Sequence, residues 1–114
     1  LSKTGQYEKA NEYLERAVLL SSDPMLYYVM AKNEQCLVEY RQAEKHLLHA
    51  IDILPERIYP YYLLMNLYTE PSYFQPAKLK MAIDSVLTKK PKVESSAIKE
   101  MKEKARSMLN NTSI

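Results

Sequence analysis

Apolar residues recur along the chain at the spacing of amphipathic helices. Ala10, Leu14 and Ala17 are spaced i, i+4, i+7, so in a helix they lie on one side. The same three residue types return 33 positions later, at 43, 47 and 50. The small alanine side chains favour close approach of a second helix. The pattern therefore predicts paired helices that pack through these stripes.

Prolines and small polar residues interrupt this pattern and set the limits of the predicted helices. Asp23 is the expected N-cap of the second helix, with Pro24 as its first residue. The predicted helices cover about residues 6–20, 24–37, 41–54, 57–69, 76–90 and 94–109. Since no strand pattern remains, the sequence predicts an all-α protein.

The chain also repeats itself over a longer distance. A shift of 33 residues places Tyr7 on Tyr40 and aligns the first predicted helix with the third. A shift of 34 aligns Tyr27 with Tyr61, Tyr28 with Tyr62, Met30 with Leu64, Ala43 with Ala77 and Leu47 with Met81. Periods of this length are typical of stacked helical hairpins.

Residues 24–57 resemble one complete tetratricopeptide repeat. The matching residues, all in one register, are Tyr27, Met30, Ala31, Tyr40, Ala43, Leu47, Ala50 and Pro55. Glu34 departs from the pattern because it stands where the family has Tyr, and Asp84 departs in the following repeat, where a small apolar residue is usual.

This resemblance implies a tetratricopeptide-like α-solenoid of antiparallel helical hairpins, a single domain of about two and a half repeats with a C-terminal capping helix. Its expected parts are the second half of a repeat (1–23), a full repeat (24–57), a divergent repeat (58–91) and the capping helix with its tail (92–114). Because the chain begins with Leu1 rather than Met, we expect it to be a fragment or a processed product. The missing first helix of the half repeat should leave an apolar edge uncovered near Tyr13, Leu14 and Leu20, so we expect the chain to self-associate or to be less stable than one extended upstream.

A narrower resemblance concerns residues 43–68 and 91–109. These stretches are similar to the C-terminal repeat region of bacterial O-antigen ligase/polymerase-like membrane proteins. The resemblance implies a periplasmic location, a membrane connection only through a parent chain, and polysaccharide-assembly proteins as possible partners. It implies no catalytic residue in this segment, so it suggests an accessory domain of a glycan-transfer protein.

Composition excludes several other classes. The chain has one glycine, Gly5, beside six prolines, whereas phosphate-binding loops and tight hairpin turns need glycine. A β-sandwich, a P-loop and a dinucleotide-binding fold are therefore not expected. One cysteine excludes an internal disulfide framework, and no apolar run approaches the ~20 residues of a membrane span.

Charge is distributed unevenly along the chain. Residues 1–75 contain 7 basic and 10 acidic residues, whereas residues 76–114 contain 9 and 4. A basic region can bind nucleic acid or anionic membranes, but a solvated helix face is the favoured interpretation. Because these lysines lack interleaved aromatics, we expect no nucleic-acid partner. The lysines concerned are Lys78, Lys80, Lys89, Lys90 and Lys92.

Candidate catalytic and metal-binding groups are few. His46 and His49 are three residues apart on one predicted helix, but neither has a nearby cysteine or an acidic residue four positions later. Cys36 has no histidine near it in sequence, so a buried structural thiol is expected. The sequence predicts no catalytic residue, no metal, no cofactor and no enzymatic activity in this segment.

Tyrosine is the unusual feature, with 10 of 114 residues. In a tetratricopeptide array the first helix of each repeat lines the concave surface, and in this chain these are the second and fourth predicted helices. Tyrosine suits recognition at such a surface. Tyr27, Tyr61 and Tyr68 are expected to face the core, whereas Tyr28 and Tyr62 either bind a partner or serve as packing aromatics. The predicted groove consists of Met25, Tyr28, Lys32, Gln35, Tyr59, Tyr62, Asn66 and Thr69. The leading hypothesis is a non-catalytic module that binds a peptide or a partner domain.

Overall fold

The computed structural model describes residues 3–111, and within that range every regular element is helical. The α-helices are α1 (Lys3–Ala17), α2 (Pro24–Cys36), α3 (Tyr40–Ile53), α4 (Tyr59–Tyr68), α5 (Pro76–Thr88) and α6 (Ser96–Asn111). A short 3₁₀ turn covers Pro71–Tyr73. The all-α prediction is confirmed for these residues. The ends of the predicted first and last segments, residues 1–2 and 112–114, lie outside the described residues.

The helices fall into two compact units, one ending at Pro55 and the other beginning at Glu56. In the first unit α2 packs against both α1 and α3. In the second unit α5 packs against α4 and α6, and α6 also touches α4. Each unit therefore buries its own helix faces between sequential neighbours.

In the first unit, helix α2 has well-defined ends. Asp23 caps its N-terminus as predicted, since Asp23 Oδ1 accepts a hydrogen bond from the Met25 backbone N–H at 3.0 Å. At the C-terminus the Glu39 N–H donates to the Glu34 carbonyl at 2.8 Å and the Val38 N–H donates to Gln35. This is a Schellman motif. Val38 has a φ of 63° there, a left-handed conformation that is strained for a β-branched residue.

In the second unit, a lysine from α6 closes the end of α5. Lys102 Nζ donates to the carbonyl oxygens of Val86, Leu87 and Lys89 at 2.8, 3.2 and 2.9 Å. The last carbonyls of a helix have no intrahelical partner and carry partial negative charge. The ammonium group therefore satisfies the end of α5 and fixes α6 beside it.

The predicted register of α5 is wrong by two residues. Ala77 is exposed, and Met81 is 70% exposed, although both were aligned with the buried stripe of α3. A shift of 36 residues, not 34, aligns the two helices, because the turn at residues 71–75 lengthens their connection. The buried residues of α5 are Leu79, Ala82, Ile83 and Val86.

Candidate functional site

The half-buried tyrosines of α4 form the most distinctive surface of the second unit. Tyr59 and Tyr62 lie one turn apart on the helix, and their rings stack with centroids 6.4 Å apart and planes inclined by 23°. Their neighbours Leu63, Leu64 and Met65 are buried, so the core anchors the helix that carries them. The two rings are therefore held in place, and part of the surface of each stays exposed to solvent.

Two lysines from outside α4 lie over its tyrosine rings. Lys104 Nζ, on α6, lies 5.5 Å from the centroid of Tyr62. Lys89 Nζ, just after α5, lies 5.0 Å from the centroid of Tyr61. Both distances allow cation–π attraction. We call Tyr59, Tyr62 and Lys104 the tyrosine–lysine cluster.

The other predicted groove residues of α4 lie near this cluster along the helix. Asn66 and Thr69 are half-buried, and Thr69 Oγ1 donates to the Asn66 carbonyl at 2.7 Å. The Asn66 side-chain oxygen is buried and has no hydrogen-bond partner among the described residues. Asn66 follows Tyr62 by one helical turn, so it lies on the same side of α4 as the cluster, with its side-chain oxygen turned away from solvent.

The predicted groove residues of α2 divide into two groups. Met25 and Lys32 are exposed and Gln35 is half-buried. Tyr28 is only 5% exposed, so its predicted solvent exposure is wrong. The exposed stripe of α2 runs through Val29, one residue further round the helix, whereas Tyr28 is among the buried residues of α2.

The three tyrosines expected in the core differ from one another. Tyr68 is buried, as predicted. Tyr27 and Tyr61 are only half-buried, which makes that expectation wrong for both. Tyr27 packs edge-on against His49 with ring centroids 4.7 Å apart, and the face of Tyr61 carries the Lys89 ammonium group. Both rings therefore contact polar side chains and are only partly covered.

Glu34, where the tetratricopeptide pattern has Tyr, makes a buried polar pair. Its Oε1 lies 2.7 Å from His46 Nδ1, and Glu34 is only 4% exposed. A buried carboxylate requires such a partner. Nearby, Asn11 donates to the Met30 carbonyl at 3.3 Å and accepts from Asn33 at 2.9 Å. These contacts join α1, α2 and α3 through polar groups.

Cys36 is exposed, so the expectation of a buried thiol is wrong. Its side chain forms a hydrogen bond with Tyr7. The pKa of Tyr7 is raised, first by that hydrogen bond, then by the negative charge that Cys36 carries when ionised, and then by partial desolvation.

Within residues 3–111 no group of three or more His, Cys, Asp or Glu side chains is placed to hold a metal ion. None of the described helices has the length and apolar character of a membrane span.

The apolar edge predicted near Tyr13, Leu14 and Leu20 is exposed in part, on α1 and in the turn that follows it. Tyr13 is 72% and Leu20 is 91% exposed, whereas Leu14 is half-buried. Leu19 is also exposed. Self-association through this edge stays a prediction.

Sequence reasoning missed the pairing of lysine with tyrosine. Lys104 and Tyr62 are 42 residues apart in the chain, so no local pattern connects them. The predicted solvated face does hold for Lys78, Lys80, Lys90 and Lys92, which are exposed. Lys89 is half-buried over Tyr61. The available signal was the coincidence of a tyrosine-rich helix with a lysine-rich region in the same half of the chain.

Comparison of this chain with protein-family models and with curated proteins finds no match.

Proposed function

We propose that this chain is a non-catalytic protein–protein interaction module that binds a peptide or a partner domain through the half-buried tyrosines of α4. The observation that carries the proposal is the stacked pair Tyr59 and Tyr62, held on a helix whose other faces are buried. Tyrosine presents a wide apolar face and a polar tip and loses little side-chain entropy on binding.

The tetratricopeptide-like α-solenoid is part of the same proposal. What supports it is the packing of sequential helices within each unit and the Schellman turn between α2 and α3. The equivalence of α2 and α4 at a shift of 34 residues also favours it, since Met30 and Leu64 are both buried. Short helical hairpins of this kind expose one helix of each pair to partners.

The first unit offers a separate surface. Met25, Val29 and Lys32 lie on one stripe of α2 and are exposed. We include them as secondary contacts, because they provide apolar area beside a single charge. Tyr28 is left out of the proposed surface because it belongs to the core of that unit.

A selection from random peptides displayed on phage tests the proposal. We expect the immobilised chain to enrich a recurrent peptide motif, and Tyr59→Ala or Tyr62→Ala to lose on the order of 1–2 kcal/mol of affinity for it. Tyr13→Ala is the matched control, because Tyr13 is an exposed tyrosine on α1, outside the proposed surface. Failure to enrich any motif contradicts the proposal. Binding of oligosaccharides alone would favour an accessory domain of a glycan-transfer protein instead.

A further inference from the structure

We infer that the tyrosine–lysine cluster selects an acidic peptide segment, with Lys104 recognising a carboxylate of the partner. This inference rests on the proposed function and names the chemistry of its ligand. Lys104 is exposed, and its Nζ lies 5.5 Å from the Tyr62 ring centroid. The ammonium group is thus held near the rings and still open to a solvent-side partner.

The distribution of charge between the two units favours an acidic ligand at the second unit. Residues 56–114 contain 10 basic and 6 acidic residues, whereas residues 1–55 contain 6 and 8. Lys89 places a second ammonium group over the neighbouring ring of Tyr61 at 5.0 Å. A basic partner is repelled by this arrangement, and an acidic one is attracted over roughly a Debye length, about 10 Å at 0.1 M salt.

The ring geometry disfavours ligands that bind by stacking. The Tyr62 ring already stacks against Tyr59 and carries an ammonium group within cation–π distance. A nucleic-acid base needs an open aromatic face, so it would have to displace one of these neighbours. A peptide can instead pack apolar side chains against the ring edges and place a carboxylate beside Lys104.

The two contributions differ in size. An ion pair at an exposed lysine changes affinity by about two- to fivefold. Truncation of an anchoring aromatic changes it by about five- to thirtyfold. Tyr62 is therefore expected to set most of the affinity, and Lys104 to set the preference for negative charge.

The experiment uses the peptide enriched most strongly by the full chain in the phage selection. The probe is that peptide, synthesised with a fluorophore, together with an analogue in which each Asp and Glu is replaced by Asn and Gln. We expect acidic residues in the motif, weaker binding of the analogue, and affinity that falls as salt rises. Lys104→Met should weaken the acidic peptide about two- to fivefold and leave the analogue unchanged.

Two further variants control for altered folding. Lys104→Arg keeps the positive charge over the ring and should retain binding. Lys99→Met removes an exposed lysine from the same helix. The lysines over the Tyr61 and Tyr62 rings are Lys89 and Lys104, so this change should alter affinity little. Thermal unfolding by circular dichroism establishes that each variant is folded before its affinity is measured.

The outcomes separate the inference from the proposed function. A motif that is neutral or basic overturns the acidic-ligand inference and leaves the interaction module standing. An acidic motif whose binding ignores Lys104→Met also overturns the inference. So does tighter, Lys104-dependent binding of single-stranded DNA, or of vesicles made from equal parts of phosphatidylserine and phosphatidylcholine. A selection that enriches no peptide overturns the proposed function itself.

Discussion

Helices α2 and α4 occupy equivalent positions 34 residues apart, yet they use their aromatic residues differently. Tyr28 is buried in the first unit, whereas its counterpart Tyr62 is half-buried and stacked with Tyr59 in the second. Glu34 pairs with His46, whereas its counterpart Tyr68 is a core aromatic. The two helices thus share buried positions in this alignment, such as Met30 with Leu64 and Ala31 with Met65, but differ at the neighbouring ones.

The cores of the two units show the same contrast. In the first unit the buried residues include Asn11, Glu34 and Glu44. In the second, every buried residue of the described range is apolar or aromatic. Buried polar groups must be matched with partners, which restricts the arrangements a core can adopt. The first unit is therefore held by specific pairs and the second mainly by apolar packing.

The largest expected effect tests the difference between Tyr28 and Tyr62. Tyr28→Ala should lower the free energy of unfolding by about 3–5 kcal/mol, because it removes a buried aromatic ring. Tyr62→Ala should cost only about 1 kcal/mol, since it removes a half-buried ring and one cation–π contact. Urea unfolding followed by circular dichroism measures both. Equal losses of unfolding free energy in the two variants would show that Tyr28 and Tyr62 contribute equally to stability.

The second prediction concerns the polar pair of the first unit. His46→Ala leaves the Glu34 carboxylate buried without its imidazole partner and should cost about 1.5–3 kcal/mol. The double variant Glu34→Leu, His46→Leu removes both polar groups and should be closer to the wild type than His46→Ala is. A double-mutant cycle in urea, completed with the single variants Glu34→Leu and His46→Leu, measures the coupling between the two residues. Additive losses from the two single changes would show that the pair contributes nothing specific.

Some of the features behind these two tests could be predicted from the sequence, and others could not. Six helices and the Asp23 cap were predictable, because helical periodicity, proline and capping residues act locally. The burial of Tyr28 was not, because one position on a helix corresponds to a rotation of 100° and only tertiary packing decides which side of the helix is covered. The insertion at residues 71–75 likewise shifted α5 out of the repeat register.

The tyrosine–lysine cluster was only half predictable. Its tyrosines could be found, since Tyr59 and Tyr62 are three residues apart on one predicted helix. Lys104 could not, because its place over Tyr62 depends on how α6 packs within the second unit. Long-range pairings of this kind carry no periodic signal in a single sequence.

A smaller effect is expected from the lysine that closes α5. Lys102→Met removes three hydrogen bonds from Nζ to backbone carbonyls and should cost about 1–2 kcal/mol. Lys99→Met, on the same helix but fully on the exposed side, should stay within about 0.5 kcal/mol of the wild type. We therefore expect Lys102→Met to lose less stability than His46→Ala, because Lys102 lies at the edge of an apolar core whereas His46 pairs with a buried carboxylate. Thermal melting of the three variants gives that order, and a Lys102→Met protein as stable as Lys99→Met would refute it.

The smallest effect should appear at alkaline pH in the first unit. The hydrogen bond with Cys36 is the largest cause that raises the pKa of Tyr7 above its ordinary value, and the negative charge of the ionised thiol adds to the shift. A raised pKa means that the folded protein holds this proton more tightly than the unfolded chain does. The associated stability is fully present below the ordinary tyrosine pKa, about 10, and is lost as the pH rises through the folded value.

The Tyr7 contribution can be isolated by difference. The tyrosinate absorbance of the wild type minus that of Tyr7→Phe reports this one residue among ten tyrosines. We expect its midpoint above that of a free tyrosine, and Cys36→Ala should move the midpoint back towards the ordinary value, because both the hydrogen bond and the thiolate charge are removed. An unchanged midpoint in Cys36→Ala would mean that desolvation, and not the thiol, governs Tyr7.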